Sequence, residues 1–335
     1  MMGADDVLLD TAVRYMRAVA LLGPFSTIFF AMDNYLRISG FVKTSMIINV
    51  VSNFLTIGLL AFFLLACRMD VVGSALAMSI SMSVCSAVSL IPFVRNKALL
   101  KFVKPKLSWK MLRKIIACGS PTFLSNISGR VTSILMNISL MTIGVKVLGQ
   151  GGGTTAVAVY AILMYASDLC WPLLYGISDS LSPAIGYNWG AENYGRVKKI
   201  AGTGFLSTAV VGLVSTSVLF FFSGTVASLF ANPEDVRLLE MSAQAIRIFC
   251  FAYVFRWLCV MTQGYFSAVG KPVQATVLSV GVAMVFPILL LGGLWNFGLD
   301  GIWFNFAGTN ILAAIVSLVL LAGLAKEIRK RQAEK

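Results

Sequence analysis

The chain has 335 residues, of which 58% are hydrophobic and only 12% are charged. A typical soluble domain carries about twice that share of charged residues, so the composition excludes a soluble globular protein and predicts an all-α, polytopic protein of the lipid bilayer. The formal net charge is +13, there is no His, and the six Cys residues are scattered singly. These features disfavour zinc, haem and Cys–His chemistry, and no cofactor is expected.

Nine apolar segments are long enough to cross a hydrocarbon core of about 30 Å, which takes roughly 20 helical residues. The segments span residues 17–36, 45–66, 72–93, 115–144, 155–178, 200–222, 239–266, 274–295 and 301–324. If the basic loop 95–114 is cytoplasmic, most of the 27 Lys and Arg residues lie on that side. The positive-inside rule therefore predicts a multi-pass protein of the plasma membrane with an outer start and a cytoplasmic C-terminus. Because anionic headgroups account for the basic charge, no nucleic acid partner is expected.

An internal repeat organises these segments. Residues 34–40 resemble residues 264–270, and residues 70–73 resemble residues 298–301, so the first three segments match the last three. Segments four to six have no counterpart upstream, so roughly three segments are expected to be missing from the front. The repeat predicts a partial N-terminal lobe in 1–94, a cytoplasmic connector in 95–114, a six-segment C-terminal lobe in 115–325 and a basic cytoplasmic tail in 326–335. The basic stretch that includes Trp109 is expected to form a helix at the membrane surface.

One face of the fifth segment carries both acidic and aromatic residues. Asp168, Trp171, Tyr175 and Asp179 are spaced by three, four and four positions, so a helix places them on one face. Charge is costly inside the hydrocarbon, which makes such a stripe a candidate binding site. Carboxylates and aromatic faces suit a planar organic cation. Alternatively, Asp179 is solvated at the cytoplasmic end and the two aromatic residues only pack.

The fourth segment carries a polar stripe of its own. Asn126, Arg130, Ser133 and Asn137 share one helical face, which is expected to point into the bundle or into a wet cavity. Arg130 is a possible ion-pair partner for Asp168 on the next segment. Contact between helices explains this stripe as well as a binding role does.

Other ionisable residues lie in the first and seventh segments. Arg256 and Gln263 are seven positions apart and share a face of the seventh segment, which makes them further candidates for substrate or ion binding. Arg247 is expected to extend its charge towards the outer surface. Asp33 precedes Arg37 by four positions, which predicts a local ion pair near the inner surface.

The stretch 176–198 contains a spaced motif. It reads G-x-x-x-x-x-x-P-x-x-x-Y-N-x-G-A-x-N-x-x-R-V-K, with Gly176, Pro183, Tyr187, Asn188, Gly190, Ala191, Asn193, Arg196, Val197 and Lys198 at the specified places. It resembles the loop between the eighth and ninth spans of the multidrug and toxic compound extrusion (MATE) transporters. The motif is interpreted mainly as a cytoplasmic Gly- and Asn-rich turn, so it indicates the family more than a binding site.

The resemblance implies two six-helix lobes that expel small organic cations or drugs by alternating access, in exchange for H⁺ or Na⁺. The chain resembles part of this fold and would lack the first three spans. Many members carry a carboxylate in the seventh or tenth span, where this chain has Arg130 and Arg256, and the N-x-x-x-D pattern expected after Asn53 is absent. The coupling ion is therefore left open.

Two alternatives to drug efflux are considered. A flippase for a lipid-linked sugar would belong to the same superfamily, but the 187–193 loop favours MATE. A membrane-embedded lipid-modifying enzyme would need clustered carboxylates or His at the membrane surface, and only Asp5, Asp6 and Asp10 cluster. An enzyme is therefore not expected.

Overall fold

The computed structural model describes residues 6–95, 100, 108–231 and 234–333, and all regular elements in these ranges are helices. The predicted all-α class is confirmed. The α-helices are α1 (Asp6–Ile38), α2 (Val42–Ala61), α3 (Val71–Val94), α4 (Trp109–Leu148), α5 (Gly152–Gly190), α6 (Tyr194–Phe221), α7 (Ser223–Ser228), α8 (Val236–Phe249), α9 (Phe251–Ala268), α10 (Pro272–Val280), α11 (Phe286–Leu294) and α12 (Gly298–Ala333). Two π-helical segments follow α2 and α10, at Phe62–Ala66 and Gly281–Val285, and a short 3₁₀ turn, Trp295–Phe297, precedes α12.

The chain divides into two compact units, Met1–Lys106 and Leu107–Lys335. Most of the predicted connector falls outside the described residues, because only residues 95, 100 and 108–114 of it are described. Trp109 to Lys114 form the first turns of α4 and continue into the membrane helix without a break. This basic stretch is therefore helical and continuous with α4, and its place at the membrane surface stays a prediction. Likewise, the described part of the predicted tail continues α12 to Ala333.

In the first unit, α3 packs against both α1 and α2. Its buried positions are mostly small: Gly73, Ala75, Ala77, Ser79, Ser81, Cys85, Ser86, Ser89 and Phe93. Small residues let helices approach closely in a bilayer, where hydrocarbon outside the protein leaves little hydrophobic force between helices. The hydroxyl of Ser81 also donates a hydrogen bond of 2.7 Å to the backbone carbonyl of Ser52 on α2. Close approach and polar contacts therefore stabilise this unit.

The predicted ion pair between Asp33 and Arg37 is confirmed and extends to α2. A guanidinium nitrogen of Arg37 lies 2.9 Å from the Asp33 carboxylate. The amide of Asn49 donates to the same carboxylate at 2.6 Å, and the hydroxyl of the buried Ser45 donates to it as well. Arg37 also donates from Nε to Ser45 Oγ at 3.2 Å. These four side chains tie the end of α1 to the start of α2, across a turn in which Gly40 has a φ of 87°.

In the second unit, the long helix α5 packs against α4, α6, α8 and α9, and α9 packs against α12. The largest core cluster brings together Leu163 and Leu174 of α5, Phe249 of α8, Tyr253 of α9 and Trp303 of α12. Each of these side chains is at most 3% exposed. The core therefore lies between α5 and the paired helices α9 and α12, and it fixes their mutual register.

Seven helices of the described residues are long and apolar enough to cross a membrane, or eight if the bent pair α8 and α9 forms one span. One of the seven, Pro272–Lys330, reverses direction at the 3₁₀ turn and Gly298, whose φ is 67°. α11 packs against α12, and Asn305 Nδ2 donates a hydrogen bond of 2.8 Å to the carbonyl of Pro287. The two helical arms of Pro272–Lys330, before and after this turn, match the eighth and ninth predicted segments. The helices are therefore compatible with the nine segments expected.

The seventh predicted segment, 239–266, is bent rather than straight. α8 and α9 meet at Cys250 at an angle of 46°. Before the bend, Arg247 donates from Nε to the buried hydroxyl of Ser223 at 3.0 Å. Although the Arg247 side chain is exposed, as expected of a residue that reaches towards the surface, it is held by a hydrogen bond to α7.

The hairpin between α4 and α5 depends on Gly144, which supports a stability prediction. A Cβ atom at Gly144 would lie 2.6 Å from the carbonyl oxygen of Gly152 and 2.8 Å from Gly153 Cα. Since backbone atoms cannot turn aside as a side chain can, Gly144→Ala is expected to destabilise the unit by about 1–3 kcal/mol. Thermal unfolding followed by tryptophan fluorescence in detergent measures this loss.

Gly129 on the same helix provides the matched control, because a Cβ there meets nothing within 4 Å. Gly129→Ala is expected to leave the unfolding midpoint unchanged or to raise it, since Ala favours a helix by about 1 kcal/mol over Gly. Equal midpoints for the two variants would contradict the close approach of α4 and α5.

Candidate functional site

Two aromatic residues and an arginine meet where α5 packs against α9. Trp171 and Tyr175, one helical turn apart, stack with ring centroids 4.5 Å apart and an interplanar angle of 21°. The Cζ atom of Arg256 lies 3.9 Å from the centroid of the Trp171 ring and 5.9 Å from that of Tyr253. The Trp171, Tyr175 and Arg256 side chains are each partly buried. The guanidinium therefore makes a cation–π contact inside a membrane-spanning bundle.

Tyr253 anchors the part of α9 that carries Arg256. The Tyr253 hydroxyl donates a hydrogen bond of 3.1 Å to the carbonyl of Ser167 and lies 2.9 Å from the Ser167 hydroxyl. Both residues are buried, so these bonds join α9 to α5 about one turn before Trp171. Tyr253 and Arg256 are three positions apart and share a face of α9. A fixed Tyr253 therefore fixes the part of α9 from which the Arg256 side chain extends.

The structure separates the predicted acidic and aromatic stripe into two parts. Asp168 and Asp179 are exposed, whereas Trp171 and Tyr175 are partly buried. The Trp171 ring, expected to receive a planar organic cation, is in contact with the cationic Arg256. Arg256 therefore covers this face of the Trp171 ring, where the sequence predicted a bound cation.

The polar stripe of α4 does not point as a whole into the packed interior. Asn126 and Arg130 are exposed, while Ser133 and Asn137 are partly buried. The amide of Asn137 donates a 2.9 Å hydrogen bond to the Ser133 carbonyl within its own helix. Ser133 also makes a side-chain hydrogen bond with Tyr160, so this part of the stripe contacts α5.

The possible ion pair between Arg130 and Asp168 is not formed. Both side chains are exposed, and none of the ion pairs found in the described part of the chain joins them. Because both charges are exposed, burial does not force them to pair, and an exposed pair would contribute only about 0–1 kcal/mol. Thr132 donates a hydrogen bond of 2.6 Å to the carbonyl of Ala283, so α4 contacts the segment after α10 there. Ser133, one turn beyond Arg130 on the same face, makes a side-chain hydrogen bond with Tyr160 of α5.

Gln263 is partly buried and lies seven positions beyond Arg256 on α9, about two helical turns away. At this level α9 approaches α5 closely, because a Cβ at the neighbouring Gly264 would meet the Ser178 hydroxyl. Ser178 Oγ also donates a long hydrogen bond of 3.4 Å to the carbonyl of Val260. Gln263 therefore lies closer than Arg256 to the C-terminal end of α9, at the level where α9 contacts Ser178 of α5.

A buried polar group on α12 was not predicted from the sequence. Asn305, Thr309 and Asn310 are at most 4% exposed. Thr309 Oγ1 donates to Asn305 Oδ1 at 3.3 Å, and Asn310 Nδ2 donates to the carbonyl of Phe306 at 2.8 Å. Asn310 Oδ1 is buried without a hydrogen-bond partner. Three polar residues within six positions of an otherwise apolar segment were the signal that could have revealed the group.

The spaced motif is mainly helical, not an extended turn. α5 continues past its predicted end at residue 178 to Gly190, so Gly176, Pro183 and Tyr187 are helical residues. The reversal takes only the three residues 191–193. Burial supplies the reason: Ile185 of this extension packs in a cluster that includes Tyr265 and Phe266 of α9. Favourable packing overrides the glycine content of the stretch.

The two motif asparagines organise the short turn. Asn188 is buried and donates from its amide to the carbonyl of Ala184 at 2.8 Å. Asn193 caps α6, because its side-chain oxygen accepts a hydrogen bond of 3.3 Å from the backbone N–H of Arg196. Of the remaining motif residues, Gly190, Ala191, Arg196 and Lys198 are exposed, whereas Val197 is buried in the cluster that also holds Ile185. These contacts account for the motif as a structural element between α5 and α6.

No group of three or more His, Cys, Asp or Glu residues in the described ranges could hold a metal ion. The candidate site consists of the exposed Asp168, the aromatic pair Trp171 and Tyr175, and Arg256. A carboxylate and a guanidinium on neighbouring membrane helices can bind groups of opposite charge.

The MatE family model matches residues 1–62 and 130–291. The chain belongs to the MatE family. The multidrug export protein MepA of Staphylococcus saprophyticus is 24% identical over 340 residues, which cover 100% of this chain and 72% of that protein. MepA of Staphylococcus aureus strain NCTC 8325 is 25% identical over 325 residues, which cover 96% of this chain and 69% of that protein.

Solved MATE structures share the fold of this chain. A multidrug resistance MATE family transporter of the MOP superfamily, in an outward-facing conformation, superposes with a TM-score of 0.87 at 21% identity. The superposition covers 98% of this chain and 72% of that chain. A MATE crystal structure in the bent conformation gives a TM-score of 0.83 at 21% identity and covers 99% and 72%. The resemblance based on the 176–198 motif is therefore confirmed, and the chain is a multi-pass membrane protein of a transporter family.

Proposed function

We propose that this MATE protein is a multidrug efflux transporter of the plasma membrane, with a cytoplasmic C-terminus, that exchanges small organic cations for H⁺ or Na⁺ by alternating access. The observation that carries the proposal is the match to the MatE family, together with relatives named as multidrug export proteins that align along nearly the whole chain. The lipid-linked sugar flippase and the lipid-modifying enzyme are not favoured by any of these relatives.

Asp168 is the carboxylate best placed to attract a cation or to carry the coupling ion. Asp33 is engaged by Arg37, Ser45 and Asn49. Asp168, in contrast, is exposed and takes part in no ion pair of the described residues. An ionisable side chain within a membrane span is costly, which supports a functional reason for its presence.

Export is tested with ethidium in a bacterial host that lacks its own multidrug exporters. Cells that express the chain are expected to retain less ethidium than cells with an empty vector. Collapse of both the H⁺ and the Na⁺ gradients is expected to restore retention, because exchange requires an ion gradient. Collapse of each gradient alone identifies the coupling ion. Equal retention in both cell types, with the chain present in the membrane, contradicts the proposal.

A further inference from the structure

Arg256 is a membrane-embedded cation without a bound anion of its own. It takes part in none of the ion pairs or side-chain hydrogen bonds found in the described residues, and its contacts there are with the rings of Trp171 and Tyr253. A partly buried charge in a membrane span is costly unless it is paired or faces water. A cation–π contact contributes about 0.5–2 kcal/mol, which offsets only part of this cost.

The stacked geometry leaves the binding edge of the guanidinium available. Trp171 contacts Arg256 over the ring face, at 3.9 Å from the ring centroid to Cζ. The N–H donors of a guanidinium lie in its plane, and they match the two oxygens of a carboxylate as a fork. Stacking on an aromatic ring therefore orients these N–H donors without using any of them. Tyr253, anchored to Ser167, restrains the helix that carries it.

The rings beside the guanidinium indicate the shape of the ligand. Trp171 and Tyr175 form a stacked pair, so the anion at Arg256 would be bordered by aromatic surface. Planar aromatic ligands gain from such contact by offset or edge-to-face packing. We propose that Arg256, with Trp171 and Tyr175, forms a subsite for the carboxylate of a planar aromatic ligand, including the acidic end of a zwitterionic compound.

This inference adds an anionic ligand class to the proposed export of cations, and it rests on that function only for how the ligand would cross the membrane. Binding itself is measured at equilibrium. The test uses the purified full chain in lipid nanodiscs, with empty nanodiscs as the blank, and titrates 2-naphthoate and the neutral 2-naphthamide by calorimetry. The two probes share a ring system and differ in the charge of the head group.

The unaltered chain is expected to bind 2-naphthoate at least about tenfold more tightly than 2-naphthamide, because hydrogen bonds to a charged group discriminate by this amount or more. Arg256→Gln is expected to abolish this preference, with 2-naphthamide binding unchanged. Arg256→Lys keeps the charge without the fork and is expected to retain part of the preference. Arg237→Gln removes an exposed arginine of α8 and is expected to leave the preference intact.

Equal affinity of the unaltered chain for the two probes overturns the inference, and so does a full preference in Arg256→Gln. If Arg256→Gln does not fold, the inference is decided by the affinities of the unaltered chain and of Arg256→Lys for the two probes. A chain that prefers 2-naphthoate but does not export ethidium keeps the subsite and loses the proposed function. A chain that exports ethidium without this preference keeps the function and loses the subsite.

Discussion

Asp168→Asn is expected to reduce the efflux of tetraphenylphosphonium by at least about tenfold, while the amount of chain in the membrane stays the same. Asp168 is an exposed carboxylate on a membrane-spanning helix, close in sequence to Trp171, whose ring contacts Arg256. Its replacement removes the charge that attracts the cation but keeps the size of the side chain. Interactions with charged groups contribute about 1.5–3 kcal/mol, which corresponds to at least about a tenfold change in binding.

The measurement compares initial efflux rates from loaded cells at equal membrane abundance, judged by an epitope tag. Asp300→Asn is the control, because Asp300 is also exposed but lies in the first turn of α12. It is expected to retain the rate of the unaltered chain. Equal losses of cationic and neutral substrates, with less chain in the membrane, would give Asp168 a structural role instead.

Asp33→Ala is expected to give the largest loss of stability in the first unit, about 1–3 kcal/mol. The substitution leaves Arg37 without its carboxylate and removes the acceptor used by Ser45 and Asn49. Breaking a buried ion pair costs about 3–5 kcal/mol, and the smaller figure allows for exposed side-chain fractions of 17% for Asp33 and 34% for Arg37. Asp33→Asn keeps an oxygen acceptor and is expected to cost less.

Asp10 and Arg14 provide a matched control on the same helix. They also form an ion pair four positions apart, but their side chains are 60% and 59% exposed. An exposed pair of this kind contributes about 0–1 kcal/mol, so Asp10→Ala is expected to shift the unfolding midpoint little. The midpoint is measured in detergent. A loss for Asp10→Ala as large as that for Asp33→Ala would show that the links to α2 contribute nothing.

Much of the fold was predictable because a bilayer restricts what a chain can do. Apolar segments of sufficient length must be helical in lipid, which located the predicted spans. The Asp33–Arg37 pair was also predictable, because a helix brings side chains four positions apart together. The pairing of Arg130 with Asp168 was not, because both charges are exposed and only the tertiary structure shows whether two exposed side chains on neighbouring helices meet.

The sequence alone determined the helical class, the apolar segments, the family motif and the residues able to carry charge within the membrane. These properties follow from composition and local periodicity. Only the tertiary structure decided that α5 extends to Gly190, that the segment around Cys250 bends, and that Arg256 covers Trp171. Each of these depends on contacts between residues far apart in the chain. The helical period of a sequence predicts which residues share a face, but the packing between helices decides which residues that face contacts.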